Sequence, residues 1–279
     1  MSKKVLPEVN SDPGKLLDEV RVFALDMDGT VYLGEQWIEG AREFLDRIEK
    51  SGRTYYFLTN NSSKAPKIYV EKLARMGLFA DEDRIVTSGQ ATIWYLKQHF
   101  PGKRVYLLGN PLLAEEFREE GIELDEEDPE MVVTGFDTTL NYEKMTRVCD
   151  LVRAGLPYIA THPDFNCPTE TGFIPDIGAI QAFIRASAFR DPDKIIGKPN
   201  REIADYLLDR VNAGLPDGAD KVRPRQIAMV GDRLYTDIAA GINAGFTSIL
   251  VLSGEASLKD AEESSFVPDL MYDSVAGLL

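Results

Sequence analysis

Four times along this chain a short apolar run gives way at once to a polar cluster, and that pattern limits the fold more than any other feature. Leu25 leads into Asp26-Met27-Asp28-Gly29-Thr30, and Leu58 into Thr59-Asn60-Asn61-Ser62-Ser63. Ile195-Ile196 leads into Gly197-Lys198-Pro199, and Met229-Val230 into Gly231-Asp232-Arg233-Leu234-Tyr235-Thr236-Asp237. An uninterrupted apolar run such as 22–25 marks a strand covered on both faces, as in a parallel sheet. Helical spacing follows it, with Ala41, Phe44, Leu45 and Ile48 on one face and Ser51-Gly52 as the stop. The β-branched and aromatic stretch 54–58 predicts another strand, and a helix is expected over 65–76. Such β-α-β-α alternation builds right-handed crossovers and a parallel sheet. Ligands of an open parallel sheet bind outside the carboxyl ends of its strands, near the point where strand order reverses. The four clusters are therefore expected to converge on one crevice.

The same grammar returns near the other end. It predicts a helix over 203–211, a strand over 226–230, a helix over 237–244 closed by Gly245, and strands over 247–252 and 269–272. Between the two ends another alternating set fills 85–190. Strands are expected there over 105–108, 131–134 and 158–161, and helices over 91–99, 112–120, 142–152 and 177–188. The Gly/Pro/Asp-rich stretch 214–224 reads as a surface loop. There is no internal repeat.

Composition removes other classes. With 279 residues the chain can bury a core without staples. No apolar run nears the ~18 residues of a membrane span, and no apolar segment follows the lysines of MSKKVLPEVN, so a secretory signal is not expected. Two cysteines, Cys149 and Cys167, and two histidines make neither a disulfide framework nor a zinc site. A formal charge of −15 disfavours nucleic acid and anionic membranes as partners. The expectation is a soluble, cytoplasmic protein. That charge should also repel anionic metabolites. Part of it is local: from Glu115 to Glu130 there are ten acids and one base, which reads as a solvated face.

The crevice is different in kind. Asp26, Asp28 and Asp232 bring hard carboxylate oxygens, which favour magnesium over zinc. Carboxylates gathered in this way raise one another's pKa unless a cation lies between them. Thr59 offers a hydroxyl, Gly29 and Asn60 offer backbone N–H groups suited to phosphoryl oxygens, and Lys198 adds a point charge. Together these groups are equipment for stabilising a transferring phosphoryl group. No serine or cysteine in the clusters is paired with a histidine. The simplest nucleophile is then a carboxylate, acting through an aspartyl-phosphate.

In order and content the four clusters resemble the motifs of the haloacid dehalogenase-like (HAD) hydrolase superfamily. Leu58-Thr59-Asn60-Asn61-Ser62-Ser63, Gly197-Lys198-Pro199 and Gly231-Asp232-Arg233 through Thr236-Asp237-Ile238 are closest to its 4-nitrophenylphosphatase-like, NagD-type branch. The resemblance covers nearly the whole chain. It implies a three-layer α/β/α core with a parallel Rossmann-like sheet at 1–84 and 191–279, and a smaller α/β cap inserted at 85–190. It implies Asp26 as nucleophile and metal ligand, with Asp28 as general acid/base and, through its carbonyl, a further ligand. Thr59 and Asn60 would hold phosphoryl oxygens, with Gly29 beside them, while Lys198 would neutralise charge and orient Asp26. Asp232 would complete the magnesium site, with Asp237 supporting it through water or Lys198. Dehalogenases of the superfamily lack the second aspartate, so Asp28 speaks for phosphate chemistry. The branch commonly carries Asn where His162 stands. There this part of the cap faces the core, which makes His162, Asp164 and Asn166 candidate contacts to the leaving group. The expected activity is magnesium-dependent hydrolysis of small phosphate monoesters. A phosphotransferase or phosphomutase shares the same intermediate and differs in the acceptor, and a retired scaffold that only binds ligand is a third reading. Cap-mediated dimers are frequent in the branch, which makes a homodimer an expectation.

Each motif also has a plainer reading. Asp-Gly pairs are common turn residues. The Asp26–Asp28 pair lacks the spacing and terminal Glu of an EF-hand, and Pro192 stands where a P-loop before Gly197-Lys198 needs glycine. Asn60-Asn61-Ser62 is formally a glycosylation sequon, without meaning absent secretion. Gly241 and Gly245 suit helix packing and capping. Cys149, Trp37 and Trp94 read as packing residues, and His99 as a helix-end partner.

Overall fold

The computed structural model describes residues 13–169 and 172–278; the amino-terminal stretch read for a leader lies outside the described residues. The strands in chain order are β1 (Val22–Leu25), β2 (Tyr32–Leu33), β3 (Gln36–Trp37), β4 (Thr54–Thr59), β5 (Ile85–Thr87), β6 (Val105–Leu108), β7 (Met131–Thr134), β8 (Tyr158–Ala160), β9 (Asn166–Thr169), β10 (Gly172–Pro175), β11 (Lys194–Ile195), β12 (Ile227–Gly231), β13 (Thr247–Val251) and β14 (Leu270–Tyr272). The chain divides into two compact units. One comprises the chain up to Thr59, Val70–Val86 and the chain from Lys198 onward; the other comprises Asn60–Tyr69 and Thr87–Gly197. The sequence-expected boundaries differ from this division at 60–69 and 191–197, which fall in the second unit, and at 85–86, which fall in the first.

The first unit is built on a six-stranded sheet in the order β14-β13-β12-β1-β4-β5, parallel from β14 through β4. All residues of β1, β12 and β13 are buried, as continuous apolar runs between two layers require. The helix Ala41–Lys50 buries Ala41, Phe44, Leu45 and Ile48, the face its spacing predicted. Phe44 meets Phe23 of β1 edge-to-face, with centroids 5.5 Å apart. Removing such a side chain costs about 3–5 kcal/mol, so this pair is a main tie between helix and sheet. Strand order reverses at β1: β4 and β5 lie to one side, β12 to β14 to the other. Leu25 pairs with both Val230 and Phe57, so three carboxyl ends finish level and Asp26, Thr59 and Asp232 leave the sheet together.

The second unit holds a parallel sheet in the order β11-β8-β7-β6 and an antiparallel β9-β10 hairpin. Its core joins Tyr106, Val132, Val148, Cys149, Tyr158 and Ile177 among others, and places Cys149 in packing as expected. Trp37 also packs, donating from Nε1 to Met76 O at 2.9 Å under the guanidinium of Arg42. His99, the last residue of the helix Ser88–His99, lies against Tyr95. Among the described residues no helix is long and apolar enough to cross a membrane. The α/β class with a parallel sheet is as the sequence predicts.

Candidate active site

At the reversal point, the backbone N–H of Asp26 donates to Val230 O at 2.9 Å, fixing the exit of β1 against β12. Lys198, 3% exposed, donates from Nζ to Asp26 Oδ1 (2.5 Å), Asp237 Oδ1 (2.7 Å) and Leu58 O (3.1 Å). These three acceptors orient the ammonium toward the two aspartates and the end of β4. Asp232 accepts Glu255 N–H at Oδ2 (2.7 Å) and the Thr30 hydroxyl at Oδ1 (3.3 Å). Asp26, Asp232 and Asp237 each offer a carboxylate oxygen within 4.8 Å of the others.

Backbone makes room for these acids. A Cβ on Gly29, whose φ is +89°, would lie 2.3 Å from Asp232 Oδ2, and one on Gly254 2.0 Å from the same atom. Only glycine lets two loops approach one carboxylate so closely. Asp237 arrives on a single π turn, Leu234–Ile238, in which Ile238 N–H reaches back to Arg233 O at 3.2 Å. The sequence reading began a plain helix at 237. The wider turn instead lets Arg233 N–H cap Asp237 Oδ2 at 3.1 Å.

The electrostatics follow from burial. Desolvation raises the Asp26 pKa; Lys198 opposes that rise, and Asp237 and Asp232 add to it. Asp232 is raised by burial and by Asp237, against the pull of Glu255 N–H and Arg233. Lys198 is held charged: burial disfavours its ammonium, but Asp237 and Asp26 outweigh that. Asp26 and Asp232 sit above the carboxylate range chiefly because burial disfavours their charged forms, with neighbouring acids adding to it. Hard oxygens in this arrangement fit a divalent cation such as magnesium. Among the described residues, Asp26, Asp232 and Asp237 are those whose carboxylate oxygens lie close enough together to hold one.

Asp28 is exposed, and its carboxylate lies 4.0 Å from Lys72 Nζ, whose ammonium sits 3.8 Å from the centroid of the buried Tyr32 ring. Gly29 N–H donates to Tyr32 O at 2.8 Å, holding the turn that passes Asp232. Thr59, half-buried, ends β4.

The remaining expected residues lie in the second unit. Asn60 Nδ2 donates to both oxygens of Asp164 at 3.2 Å, and Asn166 is exposed at the start of β9. His162 is wholly buried, with Nε2 3.0 Å from Asp176 Oδ1 and Nδ1 3.0 Å from Thr161 Oγ1, so both ring nitrogens have partners within the second unit. Sequence reasoning passed over Thr30, Arg233, Lys72 and the Ser253-Gly254-Glu255 turn. That last group was findable: Ser253 follows the apolar run 247–252 as the other clusters follow theirs.

A family model described as haloacid dehalogenase-like hydrolase matches residues 23–123, and a HAD-hydrolase-like model matches 195–278. An acid sugar phosphatase of Staphylococcus aureus (strain MRSA252) is 36% identical over 257 residues, covering 92% of this chain and 95% of that protein. The chain belongs to the haloacid dehalogenase-like hydrolases. Two HAD-family structures place it in the NagD-type branch. The 4-nitrophenylphosphatase of Thermotoga maritima is 44% identical with a TM-score of 0.87, covering 94% of this chain and 97% of its own. NagD from E. coli K-12 is 30% identical with a TM-score of 0.84, covering 93% and 99%. This HAD protein is an enzyme of the phosphoric monoester hydrolase class.

Proposed function

We propose that the protein is a magnesium-dependent phosphatase of small phosphate monoesters, working through a covalent phosphoryl group on Asp26. The observation that carries this reading is the buried Lys198 held between Asp26 and Asp237 with Asp232 alongside. Phosphatase names among relatives of matching length support the substrate class.

In the first half-reaction a carboxylate oxygen of Asp26 forms a bond to phosphorus as the ester P–O bond breaks. Asp28, in its acid form, gives its proton to the departing alkoxide. Asp28, now a carboxylate, then takes a proton from water. The water oxygen bonds to phosphorus, the bond to Asp26 breaks, and inorganic phosphate leaves. Lys198 keeps Asp26 aimed and favours its charged form through both steps, and Thr59 and the Asn60 amide hold non-bridging oxygens. Bound magnesium supplies positive charge that offsets both the aspartates and the phosphoryl group. The acidic chain thereby receives an anion, because the charge that repels at a distance is reversed locally.

The test is a panel of metabolite phosphates and 4-nitrophenyl phosphate, with free phosphate measured with and without magnesium. Release is expected from wild type with the metal, with none from Asp26→Asn and none after EDTA. Appreciable release by Asp26→Asn sinks the mechanism. Transfer to a sugar acceptor without free phosphate converts the reading to a phosphotransferase.

A further inference from the structure

Asn60 to Ser63 follow the Thr59 hydroxyl directly, yet they are tied into the second unit by buried polar groups that the mechanism above leaves unused. Ser88, Thr161 and His162 are wholly buried, and Ser62 and Asp176 nearly so. Asp176 Oδ1 accepts Ile177 N–H at 2.6 Å and lies 3.0 Å from His162 Nε2, within hydrogen-bond reach. Ser88 donates its hydroxyl proton to Asn60 O. On the other side of the ring, Nδ1 shares a hydrogen bond with Thr161 Oγ1, 3.0 Å away. Thr161 Oγ1 shares one with Ser62 Oγ at 3.1 Å, and Ser62 accepts Phe136 N–H at 2.9 Å. This hydrogen-bonded chain joins the Asp176 carboxyl at one end to the Phe136 amide at the other. Gly197 closes the packing, since a Cβ there would stand 2.6 Å from Asn60 Oδ1 and 2.7 Å from His162 Cβ.

On this geometry we infer that His162, with Asp176 behind it, is a positioning residue for phosphoryl binding: it fixes the Asn60–Ser62 loop through Thr161 and through the neighbouring Ser88, 3.3 Å from Nδ1. It acts on the group common to every substrate and leaves the choice of leaving group to other residues. The inference rests on the reading of Asn60 as a phosphoryl ligand. Truncating His162 takes one buried hydrogen-bond partner from each of Asp176 and Thr161, which loosens the loop they hold.

The experiment compares wild type, His162→Ala, His162→Asn and Ser88→Ala, with magnesium, on 4-nitrophenyl phosphate and two chemically unrelated phosphate monoesters. Inorganic phosphate serves as competitive inhibitor, and amide hydrogen exchange is followed over 60–63. His162→Ala and Ser88→Ala should raise the Ki of phosphate and the KM of all three esters by one common factor, about 2–10-fold from the loss of a net hydrogen bond. kcat should move less, and exchange should quicken at 60–63. Asn in place of His162 puts an acceptor near the Nδ1 position and should recover part of the loss. Ser88→Ala keeps the His162–Asp176 pair, so it reads the loop even if His162→Ala fails to fold. An unchanged Ki in both alanine variants overturns the inference, as does a reordered ester preference at constant Ki. A wild-type protein that releases no phosphate sinks the phosphatase reading instead, and this inference with it.

Discussion

Two groups of acids in this molecule behave in opposite ways. The densest in sequence, ten acids between Glu115 and Glu130, lies in the second unit on its own helix Pro111–Glu119 and the loop beyond. Much of it is met by nearby bases: Lys97 pairs with Glu120, Lys103 with Glu130, and Arg104 with Asp125, Asp128 and Glu130. The other group, the half-buried Asp26 with the buried Asp232 and Asp237, is scattered over more than two hundred residues of sequence and gathered around one lysine. Charge density along the chain thus says little about where charge does chemistry. What separates the groups is solvent: exposed pairs are worth at most about 1 kcal/mol, whereas desolvated acids shift one another and need a counter-charge.

The sharpest way to break this contrast is to remove the buried cation. Lys198→Met should cut kcat by about 10²–10³-fold, since one preorganised charge-stabilising donor is lost from a site that excludes water. The same replacement of Lys97, whose partner Glu120 is exposed, should leave kcat within a factor of two. Initial rates with 4-nitrophenyl phosphate and saturating magnesium decide it. If the two variants lose activity equally, burial is not what distinguishes the groups.

Much of this difference was legible before any coordinates. Apolar runs without interruption became strands buried along their length, so 105–108 and 131–134 agree to the residue, and the period-3.6 segment 177–188 does as well. Two-residue strands such as β2, β3 and β11 carry no period, and the exposed β9-β10 hairpin carries no apolar alternation, so neither could be read. In the site, Asp26, Lys198 and Asp232 stand where an apolar run ends, which is a local signal. The groups that aim them are not local: Thr30 and the Glu255 amide reach Asp232 from distant loops. His162 shows the limit most clearly. Its place in a polar stretch after a strand resembles that of a ligand-facing residue, and its burial is decided by Asp176 and Ser88, which no nearby pattern encodes.

Glu116 lies between the two groups and sharpens the comparison. It belongs to the acidic run, yet it is half-buried, close enough to the helix at Ser88–His99 that a Cβ on Gly89 would stand 3.0 Å from its Oε2. Burial, with Glu120 and Glu119 adding to it, lifts its pKa from 4.5 to about 7. The native state therefore holds this proton more tightly than the unfolded chain does. Stability from this residue is fully present below about pH 4.5 and is lost as pH rises through about 7. Glu116→Gln should match wild type in thermal unfolding at pH 4.5 and exceed it at pH 8, by on the order of 1–3 kcal/mol. A gap that does not widen with pH would place Glu116 with its solvated neighbours.

The smallest effect is expected from the exposed acids themselves. Glu126 and Glu127 lie in solvent, and it is their backbone carbonyls, at 2.7 and 2.9 Å, that receive Arg147. Converting both to Gln keeps those carbonyl contacts and removes two negative charges from a chain at −15. Surface changes of this kind usually fall within about 0.5 kcal/mol, and at physiological salt the lost charge is screened over ~8 Å. Unfolding temperature and kcat/KM should both stay at wild type in 150 mM salt. The revealing condition is low ionic strength, where screening fades and an acidic surface could slow the arrival of an anionic substrate. A several-fold rise in kcat/KM there, abolished by added salt, would mean that the run governs substrate encounter. The two acid groups would then be opposing parts of one electrostatic field, and no longer a solvated face set against a buried site.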